Sequence, residues 1–184
     1  MTDTPVRHFR GRDGVQLAYR ELGQGRPLIL IHGYQGDAML LVEAGLAGKL
    51  AAPGYRVIMP DLRGHGDSAR PHDPAAYPPD VLADDGLALI EHLRLTGYDL
   101  GGYSLGGRTV IRLLARGATP GRAIVAVLQA VAGLGGQPGT LAAQAEAVRA
   151  GGATELRVYH AGLAAQSDLA AIRDLCQATA ATRQ

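Results

Sequence analysis

The chain has 184 residues, of which 47% are hydrophobic and 19% charged, and its net charge is +1. That length suits one core and argues against a second independent unit, so residues 1–184 read as a single domain. A charge this close to zero excludes electrostatic recruitment by nucleic acid or acidic membrane, and one phenylalanine with seven tyrosines makes a poor base-stacking platform.

The segment VRHFRGRDGVQLAYREL, residues 6–22, reads as two short strands turning at Arg12 to Gly14, because Asp-Gly between extended runs is a hairpin signal. PLILIHG, from Pro27 to Gly33, is an aliphatic run ended by glycine, as expected of a strand buried on both faces of a parallel sheet. A helix is predicted from Asp37 to Ala52. YRVIMPD, from Tyr55 to Asp61, repeats the buried-strand pattern, and the stretch from Pro78 to Gly97 repeats the helix, with Leu82, Leu89, Ile90 and Leu93 forming its apolar stripe.

A strand ending at Ser104, a helix to Gly117 and a strand from Arg122 to Val131 continue the alternation. A loop, a helix from Thr140 to Ala150, a last strand TELRVYH and a closing helix from Ser167 to Thr182 complete it. Strands alternating with helices give right-handed crossovers, hence a doubly wound, mostly parallel α/β sheet with helices on both faces. No run reaches the roughly eighteen apolar residues of a membrane span, and the N-terminus has no apolar core of signal-peptide length. The lone cysteine, Cys176, cannot form an internal disulfide, which points to the cytoplasm.

Chemistry concentrates at YDLGGYSLGGRTV, from Tyr98 to Val110. Gly102-Tyr103-Ser104-Leu105-Gly106 matches G-x-S-x-G between a strand and a helix, the setting of a nucleophile elbow. A strand turning at once into a helix holds the serine backbone strained, and a side chain at Gly102 or Gly106 would strike the neighbouring element. The bland alternative is a glycine-rich loop that merely lets a helix pack closely. The same glycines do not read as a dinucleotide site, since that fingerprint belongs in the first strand-helix unit, with an acid some twenty residues later. His32, ending the third strand, and His65, within DLRGHGDS from Asp61 to Ser68, read as structural residues.

Three pieces in this order, LILIHGY, VIMPDLRGHGDS and GYSLGG, resemble the α/β-hydrolase family, within it the small esterase-like and haloperoxidase-like branch. The resemblance covers roughly Val15 to Gly117, leaving residues 118–184 atypical. It implies Ser104 as nucleophile, an oxyanion hole from the backbone N–H groups of Tyr34 and Leu105, and acyl transfer from a small ester, lactone or thioester to water. It implies no cofactor and no metal. Serine rather than aspartate at the elbow argues against the dehalogenase and epoxide-hydrolase branches, whose chemistry needs a carboxylate nucleophile.

The family's lid, its acid after the next strand and its G-x-x-H-like histidine loop have no clear counterparts here. LQAVAGLGGQPG holds no carboxylate. His160, after ELRVY, is the candidate general base and Asp168 its candidate orienting acid, although Asp168 follows the histidine, opposite to the family's order of Ser, acid, His. The alternatives are a surface His160 and a non-catalytic hydrolase-fold scaffold that binds a ligand.

Overall fold

A computed structural model of the chain describes residues 4–120 in full and the backbone of residues 125–129 and 155–159. The expected hairpin forms. β1 (Arg7–Arg10) pairs antiparallel with β2 (Gln16–Leu22), placing Phe9 opposite Leu17. The turn is closed by the Gly11 N–H donating to the Val15 carbonyl at 2.9 Å.

β2 runs antiparallel to β4 (Tyr55–Pro60), after which the pairing is parallel through β3 (Arg26–Ile31), β5 (Asp99–Gly102), β6 (Val125–Gln129) and β7 (Glu155–Tyr159). The seven strands among the described residues lie in the order β1-β2-β4-β3-β5-β6-β7. This is the mostly parallel, doubly wound sheet that the alternating pattern demands.

Among the described residues four α-helices cover it: α1 (Ala38–Glu43), α2 (Leu46–Ala51), α3 (Val81–His92) and α4 (Leu105–Ala115). The single helix expected from Asp37 to Ala52 is instead two, because Gly45 takes a left-handed φ of +72° and turns the chain between them. The helix expected from Pro78 starts only at Val81. Asp80 enters with φ +66°, and Arg94 at φ +51° ends the run just beyond His92.

Side chains on β3 and β4 alternate between two apolar layers, which is why both strands read as unbroken aliphatic runs. Ile29, Ile31 and Ile58 pack with Leu89, Val110 and Leu113 of α3 and α4. Leu30, Val57 and Met59 pack with Ala38, Leu41 and Ala47 of α1 and α2. A bidentate pair from Arg26 to the buried Asp99, at 2.8 and 2.6 Å, ties the start of β3 to the start of β5.

The strand order has a functional consequence. From β3 the chain moves to β4 on one side and, later, to β5 on the other, so the carboxyl ends of β3 and β5 form the topological switch point, where open α/β sheets present a crevice.

Candidate active site

Ser104 sits in that crevice. β5 ends at Gly102, Tyr103 follows, and Ser104 caps α4 with φ +53° and ψ −118°, outside every well that a side-chain-bearing residue ordinarily occupies. Such a backbone costs on the order of 1–3 kcal/mol and persists only where its surroundings impose it. Here they do. The Gly106 N–H donates to the Tyr103 carbonyl at 2.9 Å and the Arg108 N–H to the Ser104 carbonyl at 3.0 Å, starting the helix without a spacer.

The glycines around Ser104 answer to contact. A Cβ on Gly106 would lie 2.1 Å from the Ile31 carbonyl oxygen and 2.6 Å from that of His32, while one on Gly102 would lie 2.6 Å from the Gly106 carbonyl. β5, the start of α4 and the end of β3 therefore cross at backbone distance. On the β3 side, a Cβ on Gly33 would lie 2.7 Å from the Tyr103 ring and 3.3 Å from Ser104 Cβ, which brings the loop after β3 directly against the serine.

That loop carries Tyr34. No acceptor among the described residues takes the N–H of Tyr34 or of Leu105. Both flank Ser104, and the α4 N-terminus adds its partial positive charge. Gly33, Tyr34, Gly36, Tyr103 and Ser104 line a cavity of 550 Å³. A second cavity, of 390 Å³, opens beyond Tyr34 and Leu105 and is walled by the 77–83 segment and one face of α4. Tyr34 borders both.

The two histidines nearby have structural work. His32 is fully buried, its Nε2 accepts from the Leu62 N–H at 3.0 Å, and its Nδ1 lies 2.7 Å from the Gly33 carbonyl. The ring is thus neutral with the proton on Nδ1, and burial pushes its pKa below the ordinary imidazole value despite the Gly33 carbonyl. His65 Nε2 lies 2.8 Å from the Tyr34 carbonyl and Nδ1 3.1 Å from the Arg63 carbonyl, bracing the loop that carries Tyr34.

The rest of DLRGHGDS ties loops together. The buried Asp61 carboxylate accepts from Ala38 N at 2.7 Å and Asp67 N at 3.0 Å. Buried Arg63 makes a bidentate pair with Asp85 at 3.0 and 2.7 Å and another with Asp13 at 2.5 and 2.9 Å, joining the hairpin turn to α3. Burial opposes the Arg63 charge, but the two carboxylates outweigh it and hold the guanidinium ionised. Sequence reading missed this pairing, because Arg63 lies 50 positions from Asp13 and 22 from Asp85, with no local pattern to join them.

β7 runs parallel to β6, so it ends at Tyr159 on the same edge of the sheet as the ends of β3 and β5. His160 and Asp168 lie outside the described residues, as do Cys176 and the helices expected over Thr140 to Ala150 and Ser167 to Thr182.

Comparison with known proteins decides the lineage. The sequence pattern of the alpha/beta hydrolase fold family matches residues 26–148. The chain belongs to this family. As an alpha/beta hydrolase it is 36% identical over 109 residues to the AB hydrolase superfamily protein YisY of Bacillus subtilis, a match covering 59% of this chain and 39% of that protein. It is 41% identical over 119 residues to the non-heme chloroperoxidase CPO-A1 of Kitasatospora aureofaciens, covering 64% and 41%. Among solved structures, an epoxide hydrolase from Vigna radiata superposes with a TM-score of 0.62 at 25% identity, over 69% of this chain and 39% of that one. The chain thus spans about two fifths of the length of the curated relatives it matches. Among its described residues no helix is long and apolar enough to cross a membrane.

Proposed function

We propose that the chain is a serine hydrolase acting on small carboxylic esters, lactones or thioesters through an acyl-enzyme on Ser104. The observation behind this reading is the Ser104 backbone at φ +53° and ψ −118°, held between two contact-enforced glycines and beside the uncommitted N–H groups of Tyr34 and Leu105. Strain of this kind aims the hydroxyl into the crevice instead of into the helix.

In this mechanism Ser104 Oγ attacks the ester carbonyl carbon and loses its proton to the general base. The carbonyl oxygen becomes an oxyanion that accepts from Tyr34 N–H and Leu105 N–H. Collapse breaks the bond to the alcohol or thiol, which departs with the proton from the base, and water then releases the acid by the same path in reverse. We assign the base to His160, with Asp168 as its orienting acid, since catalytic roles survive changes of chain order when the geometry is met. The substrate is a small molecule, and the single cysteine suits a cytoplasmic setting.

One competing reading is a hydrolase-fold scaffold that binds a ligand, supported by the absence of any carboxylate in LQAVAGLGGQPG, the stretch that begins within β6. Labelling by a fluorophosphonate separates the two, because the reagent requires an activated serine. The hydrolase reading expects stoichiometric labelling of the parent chain and none of Ser104→Ala. A folded parent that does not label selects the scaffold.

A further inference from the structure

The 390 Å³ cavity beyond Tyr34 and Leu105 has an electrostatic asymmetry. Its walls are mainly apolar, from Val81, Leu82, Ala83 and Leu105, with three arginines among the lining residues. Two of the three are neutralised. Arg112 forks onto Asp80, with Nε at 2.6 Å, and Arg63 is spent on Asp13 and Asp85. The third, Arg108, is exposed and bonds to no carboxylate among the described residues. The Thr109 hydroxyl, also in the lining, is already donated to the Leu105 carbonyl at 2.9 Å.

Position links Arg108 to the elbow. It is four residues after Ser104, about 6 Å along the helix axis, and a helical side chain leans back toward the N-terminus over the preceding turn. It shares the cavity-lining face of α4 with Leu105, Thr109 and Arg112. Asp80, a carboxylate in the cavity lining, is held below the ordinary carboxylate range by its hydrogen bonds to Arg112, against some desolvation, with the charge of Arg108 adding to the effect. Arg108 is thus within electrostatic reach of Asp80 without being its partner.

We propose that Arg108 is a specificity residue that reads a carboxylate at the far end of the substrate, making the preferred substrate class esters or thioesters with a short apolar chain ending in an anion. This rests on the hydrolase reading for the chemistry at Ser104, but the anion site itself does not. A carbonyl seated at Ser104 extends past Tyr34 and Leu105 into the apolar cavity, and its distal carboxylate meets Arg108, the lining guanidinium that has no counter-ion among the described residues. Charge-assisted pairing of this kind is bidentate for arginine and weaker for lysine.

The test is binding to the Ser104→Ala chain of hexanoate and of hexanamide, which share length and apolar surface and differ in charge. Hexanoate is expected to bind about tenfold more tightly, toward the low end for a charged hydrogen bond because Arg108 is exposed. That preference should shrink as ionic strength rises. Arg108→Gln should abolish the preference and Arg108→Lys keep part of it. Equal binding of the two ligands overturns the proposal. So does a preference that survives Arg108→Gln, which would place the carboxylate on the Tyr34 and Leu105 N–H groups instead. No turnover is needed, so the two readings fail separately. Hexanoate preference without fluorophosphonate labelling of the parent removes the hydrolase and keeps the anion site, and labelling without preference does the reverse.

Discussion

The close crossing of α4 over β3 can be tested by adding one methyl group, Gly106→Ala. The new Cβ would stand 2.1 Å from the Ile31 carbonyl oxygen, where ordinary contact begins at 3.4 Å, and 2.6 Å from the His32 carbonyl oxygen. α4 must therefore withdraw by about 1.3 Å, since both obstacles are backbone and neither can rotate away. Withdrawal loosens Val110, Leu113 and Leu114 from the core. Overpacking costs about 1–3 kcal/mol, and a rigid obstacle puts this case near 3 kcal/mol. In a domain of this size that lowers the melting temperature by roughly 6–12 °C. Gly48→Ala is the control, because that helical glycine faces open space at ordinary φ and alanine there should add about 0.5–1 kcal/mol of stability. Thermal melts by circular dichroism measure both. If Gly106→Ala melts within a degree of the parent, or Gly48→Ala falls as far, contact does not explain the elbow glycine.

Three further outcomes are expected. Ser104→Ala should abolish hydrolysis of a short p-nitrophenyl ester while the melting temperature holds, and undiminished turnover by the purified variant would refute the assignment. Arg63→Leu strands the buried Asp85, whose carboxyl burial already pushes upward despite the guanidinium, so urea titration should show a loss of about 3–5 kcal/mol; a loss below 1 kcal/mol would mean that the pair is dispensable. His32, lowered by burial, binds its proton less readily folded than unfolded. Its contribution to stability is complete above the unfolded value of about 6.5 and fades as pH falls below it, whereas the lowered carboxyls of Asp13 and Asp80 keep their contribution throughout this range and lose it only below the ordinary aspartate value of 3.8. Urea midpoints between pH 7.5 and 5 should therefore fall for the parent and fall less for His32→Gln, and equal slopes would contradict the account.

Local pattern alone determined much of this chain. The aliphatic runs ending at Gly33 and Asp61, the Asp-Gly turn and the alternation of strand with helix specify buried parallel strands and a hairpin, because periodicity and turn chemistry act over a few residues. G-x-S-x-G between a strand and a helix likewise placed Ser104 at an elbow, since the steric demand on its two glycines is a property of that turn. The break at Gly45 was less legible, because a glycine inside a helical pattern signals a stop only when packing of both flanking segments rewards one. Three arrangements were decided by tertiary structure alone. The strand order sets Tyr34 beside Ser104 across about seventy positions of chain. The Arg63 pairing joins Asp13 to Asp85, and among the described residues Arg108 meets no counter-ion while Arg112, one turn on, finds Asp80. Charge pairing depends on distances that only the folded sheet and its helices create, and no spacing along the chain encodes which of several arginines will be left unpaired.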